Sequence, residues 1–299
     1  MRLVGERAAK LGMTFGTRVT WEKLLLEIRN LQNEDCASLV PLMIGTNAII
    51  APKEAVETVF KKVHFLTFEL TEICKDLPQS ERWHKLHRFF FEEKTFKILT
   101  AGWSDLCSQD LLLKPILETK AGHPLPMTLL FLHLALSIEL PVSLVQARHQ
   151  FILKFASSDC VSYLDILQNG RLLNADEVFQ ILQKSNGDKE PSDARAIYRR
   201  YLEELMYLYE QQMQPQILHS IYNLSLHLDE SNLPVLGRRA LLRQRLGFAR
   251  EALADLKRYF SFVDRSHAPI ELQKLMIQLE ATAEAVIERP LSGPSDLLH

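Results

Sequence analysis

Nearly every position between Leu125 and Ile138, LPMTLLFLHLALSI, is apolar, and this stretch constrains the fold more than any other part of the chain. A helix formed by it has no polar face, so it has to be buried on all sides. Pro124 stands at its start, and proline is favoured in the first turn of a helix. The stretch therefore predicts the central helix of a domain.

The same stretch, extended to Val145, is the one candidate for a membrane-spanning helix. It contains prolines, and Glu139 is charged, so a spanning helix is not expected. The opening residues, MRLVGERAAKLGMTFG, lack the continuous apolar region of a signal peptide. The composition, 47% hydrophobic and 24% charged with a net charge of −2, is that of a folded protein without a bias toward nucleic acid or membranes. We expect a soluble cytoplasmic protein.

The cysteines and histidines do not have the spacing of a metal site. Four cysteines are scattered without CxxC spacing, which favours reduced thiols over a disulfide or zinc framework. His84 and His87 could share a helix face, but no Cys or carboxylate at matching spacing completes a site. There is also no glycine-rich phosphate loop. We expect no metal, no cofactor and no nucleic-acid partner.

Two strands are predicted after the central helix. Apolar and polar residues alternate in HQFILKF, residues 149–155, and VSYLDI, residues 161–166, reads as a second strand after a reverse turn at ASSD. Together they predict a small antiparallel sheet. Helical periodicity and capping residues predict helices over residues 21–32, 52–76 and 81–96, and a short one opening at Asn174.

A polar segment divides the chain. KSNGDKEPS, residues 184–192, combines Gly, Pro, Ser and charges without apolar residues. Beyond it, positions from Leu208 to Ile221 correspond to positions 34 residues later, a period typical of tetratricopeptide (TPR) helix hairpins. The predicted organisation is an N-terminal helical segment (1–50), a core (51–184), a linker (185–192), a helical repeat domain (193–288) and a flexible tail (289–299).

The order of several motifs resembles a known family. LHRFFFEEKTF, PILETKAGHPLPMTLLFLHLA, RHQFILKF with YLDILQNGRLL, and the Leu-Gly…Ala-x-x-Asp-Leu repeat follow one another as in the bacterial family that joins a transglutaminase-like core to a TPR-like tail, often labelled SirB type. The resemblance covers roughly residues 50–285. It implies an α+β, mostly helical fold, in which a papain-like core with a small antiparallel sheet is followed by a TPR-like α-helical domain.

The resemblance also implies where a catalytic triad would lie. Active transglutaminase-like enzymes have a Cys at the start of the central helix, a His on a following strand and an Asp on the next, because the helix N-terminus stabilises a thiolate that the imidazole activates. These positions correspond to Pro124, His149 and Asp165, and a shift of one residue would put Gln150 at the His position. Proline has no nucleophilic group, and the SirB-type family commonly has proline there. The resemblance therefore implies a vestigial pair, His149 and Asp165.

A substitute nucleophile would restore an enzyme. Thr128 lies about one turn into the helix, and Cys160 or Cys107 could approach in space. The alternative function is thus a papain-like hydrolase or acyl transferase that uses His149 and Asp165 with a displaced nucleophile. A purely structural subunit of a larger assembly is a third possibility, which an exposed apolar patch would mark.

A basic region suggests the kind of partner. Residues 237–258 hold seven basic residues and two acidic ones. Arg238, Arg239 and Arg243 could hold an acidic segment in a groove between helix hairpins. The preferred interpretation is a non-catalytic cytoplasmic protein that binds a protein or peptide. An acidic partner would bind at these arginines.

Overall fold

The computed structural model describes residues 20–51, 56–100, 105, 107–147, 150–158, 160–183 and 193–287. The chain is mostly helical with two small sheets. It forms two compact units, one ending at Gln212 and the other starting at Met213. The predicted linker at 185–192, the predicted tail at 289–299 and His149 lie outside the described residues.

The first unit contains helices from both sides of the predicted linker and all of the strands found among the described residues. Its helices are α1 (Trp21–Asn30), α2 (Leu39–Ile50), α3 (Val56–Cys74), α4 (Gln79–Arg88, followed by a π-helical turn at Phe89–Glu93), α5 (Ser108–Leu111), α6 (Leu113–Thr119), α7 (Pro124–Ser137), α8 (Ala175–Gln183) and α9 (Ala194–Gln211). Its strands are β1 (Lys97–Ile98), β2 (Ala121–Gly122), β3 (Val142–Ala147), β4 (Gln150–Ala156), β5 (Val161–Asp165) and β6 (Arg171–Leu173).

The predicted central helix is confirmed as α7. Nearly all of its side chains are buried, as expected of a helix without a polar face. Trp83 of α4 stacks on Phe155 of β4 with 5.2 Å between ring centroids, and it meets Phe131 of α7 edge-on at 5.8 Å. These rings join the central helix to the sheet. Within the described ranges, no helix is long and apolar enough to cross a membrane.

The two predicted strands are confirmed as β4 and β5, which are antiparallel. They form the middle of a four-stranded antiparallel sheet in the order β3-β4-β5-β6, and Ile152 of β4 is paired with Asp165 of β5. The edge strands β3 and β6 were not predicted. β1 and β2 form a separate two-residue parallel pair beside the start of α7.

Helix α9 belongs to the first compact unit, although it follows the predicted linker. The hydroxyl groups of Tyr198 and Thr46 are 2.6 Å apart, and Asn47 Nδ2 donates to the Tyr201 hydroxyl at 2.7 Å. All four side chains are buried. Their hydrogen bonds join α9 to α2, in keeping with a first compact unit that extends to Gln212.

The second unit is helical in its described part. It contains α10 (Pro215–Leu228), α11 (Leu233–Arg245), α12 (Ala249–Phe260) and α13 (Ile270–Ile287). The predicted Leu-Gly helix end is confirmed, because α11 stops at Arg245 and Gly247 turns the chain with a φ of +83°, a value that favours glycine. Ala252 of α12 is fully buried. α11 and α12 thus form a tight helix hairpin.

Candidate functional site

The start of α7 has a proline at the position where the resemblance implies a cysteine. Pro124 is the first residue of the helix, and His123 precedes it with extended backbone. The Thr128 hydroxyl, which the sequence offered as a substitute, is buried and donates to the Pro124 carbonyl oxygen at 2.7 Å. This hydroxyl closes the first turn of α7.

Asp165 lies at the end of β5 and is only 2% exposed. Its Oδ1 accepts a hydrogen bond from the backbone N–H of Leu167 at 2.9 Å, and its Oδ2 accepts one from Gln168 Nε2 at 2.9 Å. The carboxylate thereby caps the 3₁₀ turn at Ile166–Gln168. Each oxygen already has a local partner on the turn that follows the strand.

The pairing of His149 with Asp165 stays a prediction, since His149 lies outside the described residues. The sheet register puts Ile152 opposite Asp165, and residues opposite each other in a sheet share a face. The alternative at Gln150 likewise stays a prediction.

The surroundings of Cys36, Cys74 and Cys107 disfavour the thiolate form. Cys107 is exposed, and its Sγ donates to Asp110 Oδ2 at 3.1 Å; burial and this contact raise its pKa. Burial, with nearby Asp35, raises the pKa of Cys36 to about 11, and burial raises the pKa of Cys74. Cys160 is exposed, 3.5 Å from the Ser157 hydroxyl. A reactive thiol needs the opposite shift, toward the thiolate.

A cluster of polar side chains around the buried Glu204, beside the start of α7, was not predicted from the sequence. His123 Nδ1 lies 3.1 Å from Glu204 Oε2 of α9, and Glu204 Oε1 lies 3.4 Å from Arg200 Nε. Glu204 is 4% exposed, yet it lines a cleft of about 380 Å³ together with Arg200, Glu203 and Tyr207. The one local signal was a His directly before the first residue of a predicted helix. Nothing in the sequence around Glu204 marks it.

The described part of the chain offers no metal site. No group of three or more His, Cys, Asp or Glu side chains converges within these ranges. His84 is exposed, whereas His87 is half-buried and its Nε2 is 2.8 Å from the Gly170 carbonyl oxygen. His84 and His87 therefore have different surroundings.

The three arginines proposed for partner binding also differ. Arg238 of α11 is exposed. Arg239 and Arg243 both bind Asp255 of α12, at 2.6 Å and 2.8 Å, and their side chains are largely buried. Two of the three guanidinium groups are thus fixed in place by a carboxylate.

Comparison with known proteins agrees with this core. Residues 54–207 match the model of a family described as the transglutaminase-like superfamily, a range that begins just before α3 and ends within α9. No curated protein and no solved structure matches the chain. Since the family match spans more than half of the 299 residues, the chain belongs to the transglutaminase-like superfamily.

Proposed function

We propose that this chain is a non-catalytic cytoplasmic protein that binds or regulates another protein, built from a SirB-type transglutaminase-like core without its nucleophile and a TPR-like helical domain. The observation that carries the proposal is the place of Pro124 at the first position of α7. A helix N-terminus lowers the pKa of a thiol and so favours a thiolate there. Proline keeps the helix start and removes the reacting group.

The surrounding contacts support the same function. The Thr128 hydroxyl donates a hydrogen bond to the Pro124 carbonyl oxygen, and the two carboxylate oxygens of Asp165 accept hydrogen bonds from the turn after β5. A substitute nucleophile needs a general base within about 3 Å and an open approach for substrate. Thr128 is buried, so it does not offer that approach.

The TPR-like part of the proposal rests on the hairpin of α11 and α12. Its turn contains Gly247 at positive φ, and Ala252 is fully buried on α12. Small residues at these places let two helices approach closely. Stacked hairpins of this kind expose a concave surface that suits protein binding.

The proposal is tested by measuring transamidation and thiol reactivity on the full chain. The first assay follows incorporation of a fluorescent primary amine into a glutamine-rich protein. The second follows alkylation of each cysteine by iodoacetamide with mass spectrometry. We expect no incorporation above buffer, and no cysteine that is alkylated faster than a free cysteine in a short peptide.

The matched control is Pro124→Cys, which puts a thiol at the first position of α7. We expect its new cysteine to be alkylated faster than Cys107, because the helix N-terminus stabilises the thiolate. Amine incorporation by the unmodified chain that disappears in Cys160→Ser or Cys107→Ser would overturn the proposal and establish the alternative enzyme. His149→Ala separates the two functions as well, since binding without catalysis does not need this residue.

A further inference from the structure

Two guanidinium groups share one buried carboxylate in the second unit. Arg239 donates to Asp255 through Nε at 2.9 Å and Nη2 at 2.6 Å, a two-point contact. Arg243 Nη1 lies 2.8 Å from Asp255 Oδ2. Charge-assisted, two-point contacts of this kind are strong and fix the plane of the guanidinium. We call Arg239, Arg243 and Asp255 the arginine fork.

Side chains of α10 hold the arginine fork from the other side. Arg239 Nη1 donates to Asn223 Oδ1 at 2.9 Å, and Arg243 Nε donates to His219 Nε2 at 3.2 Å. The His219 ring accepts this bond only as a neutral imidazole. Burial lowers the pKa of His219, and the charges of Arg243 and Arg239 lower it further against Asp255 and Glu251. The ring therefore adds no positive charge of its own at neutral pH.

The arginine fork keeps an excess positive charge. It contains two guanidinium groups and one carboxylate, and α11 carries four arginines without an acidic residue. Glu251, the other carboxylate near His219 and Arg243, is exposed, where solvent screens its charge. The hydrogen bonds of the described residues use Nε and Nη1 of Arg243, which leaves its Nη2 N–H groups for an incoming acceptor.

An aromatic ring borders the arginine fork. Phe248 follows the Gly247 turn, is 44% exposed and lies 5.8 Å from the His219 ring, centroid to centroid. An exposed ring beside a fixed cation suits a partner that carries a large apolar side chain next to a negative group. The combination selects a peptide over a bare anion.

We propose that the arginine fork is a binding site for a carboxylate of an acidic protein segment, which Arg243 Nη2 contacts directly while Phe248 packs against an adjacent apolar side chain. This inference rests on the proposed interaction function and names the chemistry of the partner. Because Asp255, Asn223 and His219 already hold the guanidinium groups in place, binding costs little side-chain entropy. The carboxylate comes either from Asp or Glu side chains or from a chain terminus.

The test is fluorescence anisotropy of labelled short peptides with the full chain at low ionic strength. One peptide alternates Glu and Leu and has an amidated C-terminus. A second alternates Gln and Leu and keeps a free terminal carboxylate. A third has neither charge. We expect the first or the second to bind, which identifies the source of the carboxylate, and the third not to bind; binding should weaken as salt is added.

Substitution at the arginine fork decides whether the binding is specific. We expect Arg243→Gln to weaken the binding peptide about tenfold, as loss of a charge-assisted contact does. Arg258→Gln is the matched control, since Arg258 pairs with exposed Glu230 outside the fork and its loss changes the net charge equally. Arg243→Lys keeps the charge but lacks the planar guanidinium group, so it should also weaken binding. This variant tests the specificity of binding if Arg243→Gln does not fold.

Three results would overturn the inference. The acidic peptides fail to bind, or Arg243→Gln and Arg258→Gln weaken binding equally, or Arg243→Lys binds as well as the unmodified chain. Any of these alongside absent transamidation removes the carboxylate site and leaves the proposed non-catalytic function standing. Transamidation together with specific peptide binding would remove the proposed non-catalytic function and leave the carboxylate site standing.

Discussion

Two carboxylates are equally buried in the two units, but their surroundings differ. Asp255 and Glu204 are each 4% exposed. Asp255 accepts hydrogen bonds of 2.9 and 2.6 Å from Arg239 and forms an ion pair with Arg243 at 2.8 Å. Glu204 Oε2 lies 3.1 Å from His123 Nδ1 and Glu204 Oε1 lies 3.4 Å from Arg200 Nε. Its Oε2 accepts no directed hydrogen bond from the described residues.

Burial alone therefore does not measure how much a charged side chain stabilises the fold. A buried carboxylate is held well only where short, aligned donors replace the water it has lost. Asp255 meets that condition, so its removal leaves two guanidinium groups without their carboxylate partner. Glu204 meets it less well and lies beside an open cleft, so a change there has a smaller structural cost.

The largest expected effect comes from Asp255→Asn. The amide cannot neutralise two largely buried guanidinium groups, and breaking a buried ion pair costs about 3–5 kcal/mol. We expect the free energy of unfolding of the second unit to fall by about that amount in guanidinium chloride titrations followed by circular dichroism. Glu230→Gln, at an exposed ion pair with Arg258, is the control and should cost less than about 1 kcal/mol. A loss for Asp255→Asn as small as that of the control would end the contrast between the two carboxylates.

A second prediction concerns pH and the first unit. His133 of α7 is buried, and burial lowers its pKa to about 4. An unfolded His titrates near 6.5, so between these values the unfolded chain binds the additional proton. The stabilisation is complete above about pH 6.5 and is lost as the pH falls toward 4, to a total of about 3 kcal/mol.

The measurement is the free energy of unfolding at a series of pH values, for the unmodified chain and for His133→Gln. Protonation of carboxylates contributes to both slopes, so the difference between the two chains isolates His133. We expect the variant to show the shallower decline. Parallel declines would mean that the pKa of the ring is the same in the folded and unfolded chains.

The smallest expected effect is that of Glu204→Gln. The amide keeps the shape of the side chain and removes a charge whose contacts are long, so we expect a loss of about 1 kcal/mol in the free energy of unfolding. Chemical denaturation measures it, with Glu203→Gln as the neighbouring exposed control. A loss as large as that of Asp255→Asn would show that the cluster at His123 is held as tightly as the arginine fork.

Local sequence patterns predicted the elements that are buried on all sides or on one alternating face. The uninterrupted apolar run gave α7, and alternation gave β4 and β5. β3 and β6 were missed because VSLVQA alternates only in part and RLL is too short to show a period. The bounds of α2 were not predicted, since the sequence analysis assigned residues 1–50 to a helical segment without a separate helix at LVPLMIGTNAII, where apolar residues on all sides leave no period to read.

The contacts of the candidate sites were harder to predict, for a physical reason. Arg239 and Arg243 are four residues apart, so their shared helix face could be read directly. Their partner Asp255 lies one helix further along, at a place that only the hairpin geometry determines. His123 and Glu204 are further apart still, and no local pattern brings them together.

The hydrogen bond between Thr46 and Tyr198 affects the order in which parts of the chain fold. It joins residues 152 positions apart, whereas the bond from Arg239 to Asp255 spans only 16. Closing a long loop costs more entropy and slows folding, while contacts between sequence neighbours form early. During synthesis, the transglutaminase-like core therefore stays incomplete until α9 has emerged from the ribosome, and the α11–α12 hairpin closes almost as soon as it is made.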